Sequence, residues 1–446
     1  MWIRGSGLGL SWDCSKEMKN ISKDTWEYSI DVQMCQEFNN CPKSQGESMF
    51  GKKMEFRIRS GRDKIDMLGA NFVFSQFQSE KAFSYSHSST FSVYPWFFIN
   101  EGNIKEESLF SPELNETRQV QVFLPPSFKE NVYKKYDIVF VNDGHFVRPI
   151  ATVANLWKKM ATEGILKEFV LVGLKNNGTD GDRTQLLTPS NGTQMVCKHG
   201  TFKDGCGGCK FCPNCSETEK MDRIINLCTK WVPTAARGEK YLDFIQYTLM
   251  SHVSLRYRAL SRQQNVGIMG YSLGGLISCH AAWTRPTVFG TAVCMSPSLW
   301  WPLPLNSKFP DDVKAEFINK TLKQFRANRP LQKLYLDVGT LEDPSGPSLM
   351  LERVQLAARK IANTPFFETN KNLWLQVLDQ EPHSGKAFIR RAWIPLQILY
   401  EPEGSARNTK TTNVCALRAH SYSASNKTAY NCQFLSLVFL TVCFTM

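Results

Sequence analysis

The residues best equipped for chemistry lie in Gly270-Tyr271-Ser272-Leu273-Gly274-Gly275. A serine set among glycines, after the apolar run Val266 to Met269 and before the small-residue segment Leu276 to Trp283, predicts a sharp strand-to-helix turn that lifts the hydroxyl out of the sheet. A serine hydroxyl is a weak nucleophile until a histidine takes its proton, and the histidine must be held by a carboxylate. Downstream of Ser272 the histidines are His280, His383 and His420. His280 falls on the helix leaving the turn, where a packed residue is expected, and His420 falls in a polar tail. His383, in Glu381-Pro382-His383-Ser384-Gly385, follows the apolar run Leu373 to Val377 and precedes a last helix, the position of a loop-borne base.

The acid is sought between the nucleophile and the base. The run Leu334-Tyr335-Leu336-Asp337-Val338 gives way to Gly339-Thr340-Leu341-Glu342-Asp343. A carboxylate just beyond a strand end can reach a histidine across the top of a sheet, which selects Glu342, with Asp343 in the same turn as the alternative. Asp337 is still inside the strand and is read as bonding to neighbouring backbone. Acyl transfer also needs two backbone N–H donors for the developing oxyanion. Leu273, directly after the serine, supplies one, and the loop Asp143-Gly144-His145 after an earlier strand supplies the other through His145.

These residues need a frame. From Ser111 onward short apolar runs alternate with helical stretches, the pattern of an α/β layer fold. Gln119 to Leu124 reads as a strand stopped by Pro125-Pro126. Asp137 to Val141 and Phe169 to Val172 read as strands buried on both faces, and Val266 to Met269, Thr291 to Cys294, Lys333 to Val338 and Leu373 to Val377 as further strands. Helices are expected at Val153 to Met160, Tyr241 to Leu255, Leu276 to Trp283, Leu349 to Ile361 and Phe388 to Tyr400. The sheet is therefore mostly parallel and helix-flanked, with active residues at strand ends. Before it, Trp26, Tyr28, Ile30 and Val32, and Met54, Phe56 and Ile58, alternate with polar residues at strand period, so the first hundred or so residues form a β-rich module. Cys14, Cys35 and Cys41 are available to staple it. The serine- and aromatic-rich segment Phe83 to Phe98 fits either a carbohydrate-binding face or a half-buried sandwich surface.

The chain has 446 residues, with 42% hydrophobic and 21% charged, which excludes general disorder and suits one large domain beside a smaller one. The net charge of +12 is spread over pairs such as Lys134-Lys135, Lys158-Lys159 and Arg390-Arg391, read as solvated surface, so no nucleic-acid partner is expected. Fourteen cysteines, with glycosylation sequons at Asn20, Asn115, Asn177, Asn191, Asn214, Asn319 and Asn426, point to an oxidising secretory route and a secreted or cell-surface protein. Met1 to Trp12 lacks the apolar core of a signal peptide, so export predicts either an unusual route of entry or, the favoured reading, a start upstream of this sequence.

Several spaced motifs carry a resemblance to a known family. Ser111-Pro112-Glu113-Leu114, Arg118 to Pro126, Asp143-Gly144-His145, Tyr241 to Phe244, Gly270 to Gly275, Ser296-Pro297-Ser298-Leu299-Trp300-Trp301, Asp337-Val338-Gly339-Thr340 and the His383 segment are similar to the esterase branch of the α/β-hydrolases that includes esterase D (S-formylglutathione hydrolase) and the enterochelin esterases. The likeness spans roughly residues 105 to 402. It implies an α/β-hydrolase fold, Ser272 as nucleophile, His383 as base and Glu342 as acid. It also implies that Trp300 and Trp301 line the substrate pocket, to which Gly144 and Tyr271 are assigned as well. No cofactor or metal is expected. The domain plan is then a β-rich domain over 1–105, the hydrolase domain over 106–402 and a tail over 403–446.

Within the hydrolase domain, residues 190–236 depart from the family pattern by inserting Cys197, Cys206, Cys209, Cys212, Cys215 and Cys228. The Cys-x-x-Cys spacing admits a metal site. The sequons at Asn191 and Asn214 and the even cysteine count favour a disulfide-knotted lid that restricts which substrates enter. Cys279 and Cys294 fall in core elements and are read as free buried thiols. In the tail, small residues around Ser423 and Ser425, a polar spacer and the apolar terminus Phe434 to Met446 fit a glycolipid-anchor signal, which implies membrane attachment. The expected function is a secreted or surface-anchored serine esterase acting on a small-molecule or glycan-linked ester. The alternatives are a catalytically weak binding or matrix protein on the same fold, and an acyltransferase using the same residues.

Overall fold

The computed structural model describes residues 1–6, 10–29, 54–61, 65–74, 93–98, 104–143, 147–176, 180–197, 229–302, 332–342 and 349–400. The N-terminal strands are β1 (Trp2–Ser6), β2 (Lys16–Glu17), β3 (Lys19–Ser22), β4 (Thr25–Glu27), β5 (Met54–Ser60), β6 (Ile65–Asp66) and β7 (Phe72–Phe74). A five-stranded sheet runs β2-β1-β5-β6, with β7 also on β5, while β3 and β4 form a separate hairpin. The alternation read at Met54 to Ile58 is the strand β5, whose Phe56 and Ile58 are buried with Ile3, Leu10, Met67 and Phe97. The alternation beginning at Trp26 yields only the short, largely exposed β4, and Ile30 and Val32 lie outside the described residues. Cys14 is an exposed free cysteine; Cys35, Cys41 and most of Phe83 to Phe98 are likewise outside the described residues. The small sheet is tied to the larger part of the chain by Gly69, whose N–H donates to Thr162, and by Glu130, which accepts from the Phe97 amide.

The second sheet is built from β8 (Ile104–Ser111), β9 (Glu116–Phe123), β10 (Asp137–Val141), β11 (Phe169–Leu174), β14 (Val266–Tyr271), β15 (Thr291–Met295), β16 (Lys333–Leu341) and β17 (Leu373–Pro382). The remaining strands, β12 (Gly192–Cys197) and β13 (Thr229–Thr234), pair only with each other. The eight-stranded order is β17-β16-β15-β14-β10-β11-β9-β8. Every neighbouring pair from β11 to β17 is parallel, and β9 alone runs against the rest. This single reversed strand near one edge, with the nucleophile turn after a central strand, is the α/β-hydrolase fold.

The helices are α1 (Val147–Thr162), α2 (Asp180–Leu187), α3 (Gly238–Asp243), α4 (Met250–Arg256), α5 (Leu273–Thr284), α6 (Leu349–Ala362), α7 (Gly385–Arg391) and α8 (Trp393–Leu399); a π-helical turn, Phe244–Leu249, joins α3 to α4. Strands β10, β11 and β15 are buried along their whole length, as continuous apolar runs predict. On one face Val139, Val141, Met269, Val293, Met295, Tyr335 and Trp374 pack with Trp157 of α1 and Leu396 of α8. Trp157 stacks on Phe169 at 4.9 Å, and Phe169 meets Tyr400 at the same separation. Cys294 points to the other face, and there the free-thiol reading is corrected: Cys279 of α5 and Cys294 of β15 form a disulfide, with Cα atoms 5.7 Å apart. Their distance along the chain gives no hint of this. It follows from α5 folding back over the strand after it, which sets a helix position directly above an inward-facing strand position.

Candidate active site

The nucleophile turn is as tight as its glycines require. Ser272 has φ +61° and ψ −121°, a conformation that L-residues avoid, and its N–H donates to the Met295 carbonyl at 3.0 Å. A Cβ on Gly270 would lie 2.4 Å from the backbone of Gly274. The strand therefore turns into α5 within one residue, and the Ser272 hydroxyl projects above the sheet.

The candidate acid and base are brought together by strand register. β16 and β17 are parallel, and after an irregularity between Gly339 and Leu341 the last pair is Leu341 with Pro382. The next residues of the two strands are Glu342 and His383, so they emerge side by side. The bulge needs glycine, because a Cβ on Gly339 would fall 1.8 Å from the Glu381 carbonyl oxygen. His383 Nδ1 lies 2.5 Å from Glu342 Oε2, and its Nε2 lies 3.0 Å from Ser272 Oγ. With the proton on Nδ1 facing the carboxylate, Nε2 is the acceptor for the serine hydroxyl. The Tyr271 ring packs on the imidazole at 4.7 Å and on Phe388 at 5.4 Å, which fixes the plane of the base.

Glu342 is buried, and burial alone would raise its carboxyl. The hydrogen bond and charge of His383, with the Ser296 hydroxyl and the Gly339 amide, hold it below its ordinary value, so the group stays ionised. Gly339 N–H donates at 2.7 Å, and the Ser296 hydroxyl donates to the same oxygen. Asp337, set aside as the acid, accepts the Ser296 amide at 3.0 Å and the Tyr335 hydroxyl at 3.2 Å. Burial pushes its carboxyl up to about 6 against the attraction of Arg391. Arg391 corrects a second expectation. Of the pair read as solvated surface, Arg390 is exposed and bound to Glu381, whereas Arg391 is buried beneath the site between Asp337 at 3.3 Å and Glu342 at 3.6 Å.

Leu273 opens α5, where backbone N–H groups have no intrahelical acceptor. Gly144, His145 and Asp343 lie outside the described residues. Their neighbour Asp143 has φ +65° and is held in a two-pronged ion pair by Arg183, at 2.7 and 2.8 Å. Asn142 anchors the same loop to α5, donating to Ser278 at 2.9 Å and accepting from Tyr241 at 2.7 Å. Ser298 stands 3.3 Å from the Ser272 hydroxyl. Trp301 is buried, and its indole N–H donates to the Ser190 carbonyl at 2.8 Å; Trp300 is the partly exposed member of the pair. His280 is buried on α5 and bound to Glu239, away from Ser272.

Sequence reasoning missed Arg391, the hydroxyls of Ser296 and Ser298, and the Arg183–Asp143 pair. The Arg390-Arg391 pair gave no signal for which of the two is buried, since both fall at the end of α7.

Of the cysteine-rich insertion, β12 and β13 form an antiparallel hairpin from Gly192 with Thr234 to Cys197 with Thr229, and Asn191 closes its foot by accepting the Ala236 amide at 2.8 Å. Cys206, Cys209, Cys212, Cys215 and Cys228 lie outside the described residues, as do residues 401–446 with the anchor reading. Among the described residues no group of His, Cys, Asp and Glu side chains is arranged to hold a metal, and no helix is long and apolar enough to cross a membrane.

Residues 220–371 match the protein family described as "Putative esterase". The siderophore triacetylfusarinine C esterase of Aspergillus fumigatus is 38% identical over 64 residues, which cover 14% of this chain and 22% of that protein. The ferri-bacillibactin esterase BesA of Bacillus subtilis is 32% identical over 110 residues, covering 25% of this chain and 35% of that one. The chain thus matches about a third or less of the length of these curated relatives. Among solved structures, the enterobactin esterase FES from Shigella flexneri has 16% identity and a TM-score of 0.46, over 67% of this chain and 59% of that one.

Proposed function

From the match of residues 220–371 to the esterase family and the α/β-hydrolase fold of the sheet, we propose that this chain is a serine esterase working through an acyl-enzyme on Ser272. The observation that carries the reading is the continuous chain from Glu342 through His383 to Ser272, at 2.5 and 3.0 Å, on a strained nucleophile turn. His383 Nε2 takes the Ser272 proton as Oγ attacks the ester carbonyl, and Glu342 stabilises the imidazolium that forms. The Leu273 amide and one from the Gly144-His145 loop receive the oxyanion. The imidazolium then protonates the leaving alcohol. Water, deprotonated by the same nitrogen, attacks the acyl-enzyme, and Ser272 is regenerated with release of the acid.

The substrate class is a small-molecule ester, supported by the relatives' names, which are those of siderophore esterases. We assign Trp300, Gly144 and Tyr271 to the pocket, with Trp301 behind. Glycosylation at exposed sequons such as Asn115, secretion and a C-terminal lipid anchor complete the reading, supported by the sequons, the cysteine content and the apolar terminus. The test is labelling with a fluorophosphonate probe together with hydrolysis of short aryl esters. Wild type is expected to react and Ser272→Ala to do neither. A folded wild-type protein that neither labels nor turns over would overturn the proposal.

A further inference from the structure

We propose that Arg391, Asp337 and Ser296 are a positioning set that aims the Glu342 charge at His383, with Asp337 neutralising Arg391 so that this charge is left undivided for the imidazolium. The inference rests on the esterase reading and concerns groups that do not touch a substrate. The chain of contacts has a direction. Arg391 Nη2 donates to the Ser296 oxygen, and the single Ser296 hydroxyl proton is thereby turned toward Glu342 Oε1. Oε1 also accepts the Gly339 amide, which leaves Oε2 for His383. Ser296 cannot turn away, because its backbone is held at φ +38° and its N–H is shared between the Asp337 carbonyl and carboxylate, each at 3.0 Å.

The charge count gives the set its meaning. The charged and titratable groups facing this pocket are Asp337 and Tyr335 on β16, Glu342 just past it, His383 past β17, Arg391 on α7 and Tyr271 on β14; Arg183, further out, is neutralised by Asp143. The side chains of Asp337 and Glu342 are fully buried and that of Arg391 is nearly so. Two carboxylates and one guanidinium sum to a single negative charge, and the missing positive charge is the one His383 acquires during reaction. Were Asp337 neutral, the guanidinium beside Glu342 would oppose that imidazolium.

The test compares pH profiles of kcat/KM for an aryl ester. Asp337→Asn leaves Arg391 uncompensated and is expected to move the acidic limb of the profile to lower pH by about half a unit to one unit. The double variant Asp337→Asn/Arg391→Gln, which is again balanced, is expected to bring the limb back toward wild type. Ser296→Ala, which changes volume least, is expected to lower kcat by roughly tenfold or more with KM unchanged, the size typical of losing a group that orients a catalytic partner. A merely structural role would lower activity in all three without moving and restoring the limb. An unmoved limb in a folded Asp337→Asn overturns the inference, and so does a Ser296→Ala variant with wild-type kcat if Asp337→Asn does not fold. Either failure, in a wild-type enzyme that labels at Ser272 and turns over, leaves the esterase reading standing; a wild type that does neither removes the reading first.

Discussion

At the scale of single residues, the site is a set of buried charges whose pH responses oppose one another. Glu342 has a lowered carboxyl, so its contribution to folding is present above its unfolded range and lost as pH falls through the folded value. Asp337 has the reverse sign. Raised to about 6 from 3.8, it favours the folded state most when protonated, and that advantage disappears as pH rises from about 4 to 6. Asp337→Asn, which cannot ionise, escapes the loss. The stability difference, wild type minus variant, is therefore expected to shift in the variant's favour by about 3 kcal/mol between those limits, on top of a pH-independent cost of leaving Arg391 without its partner. Urea unfolding at pH 4, 5, 6 and 7 reads this, and a flat difference would refute it. Glu342→Gln removes the charge but keeps the shape, and is expected to lower kcat by about 10^3 to 10^4-fold with little change in KM. The residues that the structure brings together, Ser272, His383 and Glu342, were legible in the sequence because the order of nucleophile, acid and base in the proposed reaction limits the choice to one serine and one loop histidine. Arg391 was not legible. Its neighbour Arg390 has the same side chain and is exposed, and only the turn of α7 decides which of the two faces Asp337.

At the scale of elements, the register of β16 and β17 positions Glu342 against His383, and Gly339 permits that register. Gly339→Ala must push the Glu381 carbonyl away, at a cost of about 1–3 kcal/mol. Because Glu342 and His383 are the next residues along these two strands, kcat is expected to fall more steeply than thermal stability. Equal loss at 15 °C, far below melting, and near the melting temperature would support this, whereas wild-type kcat at 15 °C would refute it. The disulfide between α5 and β15 closes a 15-residue separation, so replacing both cysteines by alanine is expected to reduce stability by about 3 kcal/mol, measured by denaturant titration without reductant. Strands buried on both faces were readable as continuous apolar runs and stand within a few residues of where they were expected. β8 was not, since Lys105, Glu106, Glu107 and Ser108 give an edge strand no apolar alternation, and its pairing comes from the β9 partner. The last helix was read as one and is two, α7 and α8, broken at Ala392. Pro395 has no N–H to continue the ladder and disfavours the helical conformation just before it.

At the scale of the whole molecule, the insertion is joined to the site through its foot. The hairpin begins at Gly192, whose missing side chain leaves room for the Trp301 ring; a Cβ there would fall 2.5 Å from it. Trp301 is further held by the Ser190 carbonyl and packs against the Trp300 ring at 6.1 Å, and it is three residues along the chain from Ser298, which lies 3.3 Å from the Ser272 hydroxyl. The directly opposed pair Cys197 and Thr229 offers a clean excision point, since two residues of Asn-Gly can close an antiparallel pair in the required turn. Removing residues 198–228 in this way, with Cys197→Ser to avoid a stray thiol, keeps the foot, Trp301 and the triad. If the insertion limits access, kcat/KM for a short aryl acetate should stay within about threefold of wild type while the value for a bulky ester rises by about tenfold, a gain of roughly 1.4 kcal/mol confined to the larger substrate. Fluorophosphonate labelling of Ser272 reports whether the shortened protein has kept its site. In a shortened protein that labels normally, an unchanged ratio of bulky to short ester would show that substrate choice is made below the hairpin, at Trp300 and the oxyanion loop.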